Sequence, residues 1–360
     1  ADSVARLGGD EFTVIVDACD SVETITAVCD RILEKVMEPI LLGQTEANLS
    51  CSIGISLYPN DGKDVEVLLQ NADSAMYKAK DHGRNNYQFF TPDMHAKAMA
   101  HLSRENALRK ALQRNEMVLH YQPQFDVKLG GIIGVEALVR WQDPEWGLIW
   151  PSEFIPLAEE TGLVVPLGEW VMRQACLQAK QWSEVMRGRQ FHMAVNISVR
   201  QFTVEDLLGI VREALDNAEL EPRYLQLEIT ESMVMSDIQA NIKLLQQLHD
   251  LGVRIGLDDF GTGHSSLIYL KRLPVDVVKI DRAFVEDIAT SNYDSAIAQS
   301  IISLAESLKL DVIAEGVETV PQVERLKEKG CYKMQGFLFS EPLDADQCDR
   351  LLRGLPDFEI

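Results

Sequence analysis

The sequence of 360 residues is short of positive charge, with 34 Lys and Arg against 56 Asp and Glu and a formal net charge of −22. A negative excess of this size argues against a protein that binds nucleic-acid polymers or anionic membranes. It does not exclude a phosphate ligand, because a bound metal ion can reverse the local field. No uncharged apolar run reaches the length of about 18 residues that a membrane-spanning helix requires, so we expect no membrane contact within this chain.

Cysteine is also scarce, with six residues and no C-x-x-C pair. This argues against a disulfide framework and favours reduced thiols in a cytoplasmic protein. The sequence has neither a signal peptide nor an initiator Met, and a motif begins within its first residues. We therefore expect a piece of a longer protein, which segments upstream could tether to a membrane.

Residues 1–91 alternate between patterns typical of strands and of helices. A Gly-Gly turn at residues 8–9 predicts a hairpin. The further predicted elements are strands at Glu11–Val16 and Leu49–Leu57 and helices at Val22–Glu38 and Val65–Asp81. Residues 92–115 are predicted to form a connecting helix, because their apolar side chains follow one helical face.

From residue 116 to 355, short apolar runs alternate with helical patterns, which is typical of an α/β fold. The predicted strands are Val118–Gln124, Ile132–Val139, Phe191–Ile197, Tyr224–Ile229, Val253–Leu257, Val275–Ile280, Asp311–Ala314 and Cys331–Met334. Eight strands favour a (βα)8 barrel over an open sheet. Only Asp126–Gly131 separates the first two, which is too short for a helical crossover, so we expect an antiparallel hairpin and an irregular start to the barrel.

Polar residues stand at or near the C-terminal ends of these apolar runs. They are Glu136, Asn196, Glu228, Asp258, Asp259, Lys279, Glu315 and Gln335. In a barrel, those strand ends converge on one face, and that face holds the active site. A single acid after a strand is usually a helix cap, but polar residues at seven strand ends are not explained by capping.

The residue types at these strand ends indicate a chemistry. Carboxylate and amide oxygens without His or Cys favour Mg²⁺ or Mn²⁺ over Zn²⁺. The adjacent Asp258 and Asp259 suit two metals, the standard arrangement for in-line attack on a phosphodiester. Lys279 could hold the attacking water or form a structural salt bridge, and the sequence leaves both open. Arg140 shares a strand face with Glu136 and could bind a phosphate oxygen.

A glycine-containing segment, residues 260–266, follows the paired aspartates. It is predicted to be either a mobile loop over the site or a tight strand-to-helix turn, and both can hold. His264 within it is interpreted as a surface residue rather than a catalytic one, because a lone loop histidine is usually that.

Ordered motifs run through residues 105–355. They include E-A-L-V-R-W at 136–141, N-I-S at 196–198, E-I-T-E at 228–231, D-D-F-G-T-G at 258–263, V-V-K-I-D at 277–281 and Q-G-F at 335–337. In this order the chain resembles the EAL family of cyclic di-GMP phosphodiesterases. The resemblance implies an irregular (βα)8 TIM-like barrel with an antiparallel early strand, and hydrolysis of cyclic di-GMP to linear 5′-pGpG. The alternative is a catalytically silent cyclic di-GMP receptor, a type that usually lacks metal ligands.

The resemblance also implies roles for individual residues. The ligands of two Mg²⁺ or Mn²⁺ ions would be Glu136, Asn196, Glu228, Asp258 and Asp259. Lys279 and Glu315 would position the water, and Glu231 would secure the loop after the aspartates. The substrate contacts would be Gln122, Leu138, Arg140 and Gln335. Departures from the family pattern occur at His264, Tyr332, Phe337 and Glu341, none of them a metal ligand. The family also implies a homodimer formed through the barrel.

The N-terminal region carries a second resemblance. The hairpin motif R-L-G-G-D-E-F contains Gly8, Gly9, Asp10, Glu11 and Phe12, and A-D-S-A-M-Y-K-A-K-D-H-G-R-N follows at 72–85. Together they resemble the C-terminal half of a GGDEF domain, the diguanylate cyclase fold, and imply an α+β remnant over residues 1–91. Asp2 would be the last residue of an R-x-x-D inhibitory site. Because the first half of that family's motifs is missing, we expect no cyclase activity from this chain and an exposed sheet edge.

Overall fold

The structure is a computed structural model that describes residues 3–17, 22–42, 45–47, 49–203, 206–235, 238–261 and 272–354. The chain divides into two compact units, Ala1–Asn106 and Ala107–Ile360. The division falls within the helix Pro92–Gln113, in the stretch predicted to connect the domains. The predicted domain limits at 91, 115 and 355 stay predictions. Asp2, His264 and the predicted loop from residue 262 onward lie outside the described residues.

The N-terminal unit contains short strands and three helices. Its elements are β1 (Ser3–Gly8), β2 (Glu11–Ile15), α1 (Val22–Met37), β3 (Ile40–Leu42), β4 (Thr45–Ala47), β5 (Ile53–Ile55), α2 (Val65–Asp81), β6 (Tyr87–Phe89) and the start of α3 (Pro92–Gln113). The pairs β1–β2 and β3–β4 are antiparallel, and β5 pairs with β6 in parallel. The helix α2 begins at an N-cap, Asp64, whose side chain accepts from the Val67 N–H.

The predicted hairpin is confirmed. β1 and β2 pair across the turn, and Gly9 takes a positive φ of 52° that a side chain would strain. Gly8, Asp10, Glu11 and Phe12 lie in or beside this turn, and all are exposed. The hairpin is a two-stranded sheet whose apolar side chains meet solvent, with Phe12 62% exposed. The exposed sheet edge predicted for this unit is therefore present in the described part of the chain.

The strand predicted at Leu49–Leu57 is wrong in extent. The structure has only Ile53–Ile55 in strand conformation, because the partner strand Tyr87–Phe89 offers three residues for pairing. The β5 strand packs closely on α2, because a Cβ added at Gly54 would overlap backbone atoms of Ala72 and Met76.

The second unit is a closed barrel of eight strands. They are β7 (Met117–Asp126), β8 (Gly131–Asp143), β10 (Met193–Asn196), β11 (Leu225–Thr230), β12 (Arg254–Phe260), β13 (Val277–Ile280), β14 (Asp311–Ala314) and β15 (Lys333–Met334), while β9 (Gly147–Ile149) extends β8 as a hairpin. Each strand pairs with the next, and β15 closes on β7. β7 is antiparallel to both neighbours, and the other barrel pairings are parallel. The predicted barrel with an antiparallel early strand is confirmed.

Helices follow the strands around the barrel. They are α4 (Pro151–Thr161), α5 (Val164–Val185), α6 (Val199–Phe202), α7 (Leu207–Ala218), α8 (Glu231–Met235), α9 (Ile238–Leu251), α10 (Arg282–Glu286), α11 (Asn292–Leu308), α12 (Val320–Glu328) and α13 (Ala345–Gly354). No helix in the described ranges has the length and apolar character needed to cross a membrane.

The parallel strands are apolar because both of their faces are covered. In β13 all four residues are buried, and in β11 five of six are. Strands covered on both faces are near-continuous Val, Ile and Leu runs, so a polar residue inside one, such as Lys279 or Glu228, must find its partners within the barrel.

The close approach of β5 to α2 yields a stability prediction. We expect Gly54→Ala to lower the free energy of unfolding of the N-terminal unit by about 1–3 kcal/mol, because backbone atoms of α2 must move to admit the methyl group. Urea denaturation followed by circular dichroism measures the change. Gly8→Ala is the matched control, since a Cβ at Gly8 meets no atom within 4 Å. Equal stability of the two variants would contradict the packing argument.

Candidate functional site

Strand register brings the predicted site residues to one end of the barrel. Gln122 on β7 lies opposite Glu136 on β8, and Asn196 on β10 lies opposite Glu228 on β11. Asp258 on β12 pairs with the last residue of β11. Glu315 and Gln335 come directly after β14 and β15; the backbone N–H groups of these two residues donate to the ends of the neighbouring strands.

Lys279 lies at the centre of this group. Its ammonium Nζ is 2.6 Å from Glu228 Oε2 and 3.5 Å from both Glu136 Oε2 and Asp258 Oδ2, and it also contacts Glu315 Oε1. The lysine is fully buried. One ammonium thus meets four carboxylates, three from different strands and one from the residue that follows β14. Lys279 therefore forms the structural salt bridge that was one of its two predicted roles. The other role, holding the attacking water, stays a prediction.

Burial and crowding shift the pKa of these groups. Burial raises the pKa of Glu228 to about 8; the carboxylates of Glu136 and Asp258 add to this rise, while Lys279 opposes it. The pKa of Glu315 is raised well above its ordinary value, first by burial and then by the same neighbours. Burial alone would lower the pKa of Lys279, but the surrounding acids outweigh it and raise that pKa well above the usual range. The site therefore holds more negative charge than one lysine compensates.

Two amide groups fix the Glu136 carboxylate. Asn196 donates through Nδ2 to Glu136 Oε1 at 2.6 Å, and Gln335 donates through Nε2 to Glu136 Oε2 at 2.6 Å. Gln335 Nε2 also donates to Gln122 Oε1 at 2.9 Å. Both oxygens of the glutamate thus have defined partners, so its orientation is set.

The paired aspartates end β12 with an irregular backbone. Asp259 has a positive φ of 53°, and its N–H donates to Asp258 Oδ1 at 2.9 Å. The register with β13 shifts between Leu257 and Phe260. Burial, followed by the charge of Asp258, raises the pKa of Asp259 to about 6. Glu231 is buried at the first position of α8, directly after β11.

A pocket of about 250 Å³ opens above these groups. Of the predicted substrate contacts, Gln122, Leu138 and Gln335 line it, together with Glu136, Asp258 and Glu315. Arg140 is not among its lining residues. The Arg140 guanidinium is instead buried 4.5 Å from the Trp150 ring centroid, and its NH1 donates to the Val139 carbonyl. Its Nε finds no partner among the described residues.

Sequence reasoning missed part of this pocket. Arg282, Glu318 and Phe337 also line it, and Arg282 pairs with Glu318 at 2.9 Å. The available signal was their position, since each lies within three residues of a predicted site residue, in the segment that follows a strand. Phe337 is 53% exposed, which is unusual for a large apolar side chain beside a pocket. Two buried polar residues inside the barrel, Gln124 and His192, were also missed.

The donor set suits hard divalent cations. The converging groups offer carboxylate oxygens and the Asn196 amide oxygen, the ligands that Mg²⁺ and Mn²⁺ take. Within the described ranges, however, no three His, Cys, Asp or Glu side chains are arranged as ligands around one point. The carboxylates are drawn to Lys279 Nζ instead. Since four carboxylates share one ammonium, the residues present fit cations in chemistry and in charge.

Comparisons with known proteins agree with this geometry. A family profile described as "EAL domain" matches residues 105–342, and one described as "Diguanylate cyclase, GGDEF domain" matches residues 1–86. The bifunctional diguanylate cyclase/cyclic di-GMP phosphodiesterase MucR of Pseudomonas aeruginosa is 46% identical over 96% of this chain and 50% of its own length. The cyclic di-GMP phosphodiesterase NbdA of the same organism is 42% identical over 98% and 45%. This chain therefore spans about half the length of these relatives.

A solved structure, the PaMucR phosphodiesterase in complex with c-di-GMP, is 48% identical. The match covers 68% of this chain and 98% of that one, with a TM-score of 0.65. The barrel unit thus has a counterpart of nearly the same extent.

The burial of Lys279 yields a prediction. We expect Lys279→Met to lower the free energy of unfolding by about 3–5 kcal/mol without added metal, because it leaves buried carboxylates without their cation. Urea denaturation at neutral pH in EDTA measures this. The control is Lys180→Met, which removes a half-exposed ion pair at 4.0 Å and is expected to cost about 1 kcal/mol or less. A Lys279 variant as stable as this control would show that the ammonium does not hold the acids together.

Proposed function

The chain belongs to the EAL domain family, and from that premise we propose that it hydrolyses cyclic di-GMP to linear 5′-pGpG with divalent cations. The convergence of Glu136, Glu228, Asp258 and Glu315 on Lys279 Nζ at the mouth of a pocket carries this proposal. The names of MucR and NbdA, and the c-di-GMP complex of the former, support the choice of substrate.

We propose Glu136, Asn196, Glu228, Asp258 and Asp259 as the residues that would hold two Mg²⁺ or Mn²⁺ ions. Bound there, the cations would supply positive charge for the phosphate and lower the pKa of water. They would also offset the excess of carboxylates, which is the physical reason so acidic a site could admit an anionic dinucleotide.

The chain's own groups would orient the nucleophile. Lys279 Nζ and the Glu315 carboxylate are in direct contact, so a water molecule beside this pair would accept from Nζ and donate to the carboxylate. Attack by the oxygen of this water would form one phosphorus–oxygen bond in line with the 3′-oxygen, whose bond to phosphorus breaks. The water would lose one proton and the leaving 3′-oxygen would gain one, so that the ring opens to the linear product. Glu231 would secure the loop that follows the aspartates.

We propose Gln122, Leu138 and Gln335 as substrate contacts, because they line the pocket beside the acids. Arg140 is proposed as a further contact from the family resemblance alone, because its buried guanidinium lies against Trp150 and does not line the pocket. A phosphate oxygen is a suitable acceptor for such a group.

Two proposals rest on resemblance alone. The first is that two copies pair through the barrel; size-exclusion chromatography with light scattering would find a monomer if this is wrong. The second is that this chain makes no cyclic di-GMP from GTP, and product formation from GTP would contradict it.

The hydrolysis is tested by nucleotide chromatography with Mg²⁺ or Mn²⁺. We expect wild-type protein to form 5′-pGpG, and Glu136→Gln and Asp258→Asn to lose about 100-fold or more in kcat/KM, because each removes an anionic ligand. Glu328→Gln, an exposed carboxylate paired with Arg325, is the control and should retain the wild-type rate. Undiminished turnover in either site variant would refute the assigned site. Tight binding of cyclic di-GMP without turnover by the wild type would indicate the receptor instead.

A further inference from the structure

A chain of polar side chains runs from Glu136 into the barrel interior. Arg254 NH1 lies 3.4 Å from His192 Nδ1, and His192 Nε2 lies 2.8 Å from Gln124 Oε1. Gln124 Nε2 then donates to Gln335 Oε1 at 2.9 Å, and Gln335 Nε2 donates to Glu136 Oε2 at 2.6 Å. His192, Gln124 and Gln335 are each at least nine-tenths buried.

The two ends of this chain impose one direction on every bond. A guanidinium can only donate, so His192 Nδ1 must accept from Arg254 and its proton must sit on Nε2. A carboxylate can only accept, so Gln335 must present its NH₂ to Glu136 and its carbonyl to Gln124. Gln124 satisfies both neighbours in one orientation only, with its NH₂ toward Gln335 and its carbonyl toward His192.

His192 must be neutral for this arrangement to hold. Burial lowers its pKa well below the ordinary value, and the charges of Arg254 and Lys333 lower it further, although a backbone contact with Ile133 acts in the opposite sense. A neutral imidazole has one donor and one acceptor nitrogen, which is what Gln124 and Arg254 require.

The barrel is shaped to admit this histidine. Gly134 on β8 lies opposite Gln124 on β7, and a Cβ at Gly134 would lie 2.7 Å from the His192 ring. His192 directly precedes β10, whose last residue, Asn196, holds the other oxygen of Glu136. Since residues i and i+4 of an extended segment share a face, His192 and Asn196 point to the same side. One segment therefore supplies a residue to each of the two hydrogen-bond paths that end on Glu136.

Gln226 provides a contrast within the same interior. It is also fully buried and donates to a site carboxylate, Glu228 Oε1, at 3.1 Å. Its own Oε1, however, has no partner among the described residues. The directed chain is therefore particular to Glu136 and is not a general property of amides inside this barrel.

We propose that His192 and Gln124 are positioning residues, which act through Gln335 to hold the Glu136 carboxylate in the orientation that binds a divalent cation. The inference rests on the proposed function, since it deepens the role of Glu136. With Gln124 made apolar, the Gln335 carbonyl loses its donor, and with His192 made apolar, that donor loses the partner that orients it. The Gln335 amide then keeps only its donor contacts to Glu136 and Gln122, so its side chain is less restrained and the Glu136 carboxylate is held less firmly in its present orientation.

The test uses the full chain and Mn²⁺ alone, titrated by calorimetry without nucleotide. We expect His192→Leu and Gln124→Leu each to weaken Mn²⁺ binding about tenfold, the effect typical of residues that support a metal ligand. His192→Gln should restore near-wild-type affinity, because its amide can donate to Gln124 and accept from Arg254. The double variant His192→Leu/Gln335→Leu should bind Mn²⁺ no more weakly than Gln335→Leu alone, because both residues act through one chain.

Val195→Ala is the matched control. It lies on the same strand, is buried, and projects to the opposite face from the histidine side. It should lower stability and leave Mn²⁺ affinity unchanged, so circular dichroism and calorimetry together separate misfolding from mispositioning. If His192→Leu does not fold, Gln124→Leu and His192→Gln still decide the question.

Several results would overturn the inference. They are wild-type Mn²⁺ affinity in the folded leucine variants, an affinity in His192→Gln as weak as in His192→Leu, or independent effects that multiply in the double variant. Wild-type turnover of cyclic di-GMP, measured in parallel, keeps the proposed function standing in each case. A wild-type protein that neither binds Mn²⁺ nor turns over the nucleotide would remove both proposals together.

Discussion

The buried ammonium of Lys279 is the interaction on which the arrangement of this barrel's site depends. It contacts acids carried by β8, β11 and β12 and by the residue after β14. Without it, those carboxylates would repel one another across a space that excludes most solvent. With it, they are gathered but not neutralised. The same lysine therefore keeps the strand ends together and leaves carboxyl groups in excess, and these are the ligand type that hard divalent cations take.

Barrel closure gives this interaction its precision. Each site residue is placed by backbone pairing to a neighbouring strand, as Asn196 is opposite Glu228 and Gln122 is opposite Glu136. Amides then hold individual acids in place: Asn196 and Gln335 donate to Glu136, and Gln226 donates to Glu228. Such buried polar groups are costly unless they are paired, and at Glu136 two amide hydrogen bonds and the Lys279 ammonium meet at one carboxylate. The same buried contacts inside the barrel thus hold the strands together and orient the carboxylates of the site.

Periodicity in the sequence was enough to predict the eight strands, and the short Asp126–Gly131 gap was enough to predict that the first two pair antiparallel. The positions of Asn196, Glu228, Asp258 and Lys279 at or near strand ends also followed from it. Glu136 instead lies in the middle of β8, which continues to Asp143. Contacts between residues far apart in the sequence could not be predicted in this way. Gln124 and His192 sit within apolar runs, and only the three-dimensional register shows that they face one another and Gln335. Likewise, the extent of β5 depends on its partner, which lies 34 residues further along the chain at the pairing of Ile53 with Tyr87.

The reversed strand β7 also decides where the polypeptide enters the barrel. Its first residue, Met117, lies opposite Trp141 near the C-terminal end of β8, the end at which the site is built. A regular barrel would receive its chain at the far end, beneath the packed core. Here the chain enters the barrel at the same end as the mouth of the pocket. Any pull transmitted along the C-terminal turn of α3, where Leu108 and Ala111 are anchored in the core, therefore reaches the strand that bears Gln122 and Gln124 before it reaches any other. In mechanical terms, force applied to α3 enters the barrel through β7, at the end that carries the pocket.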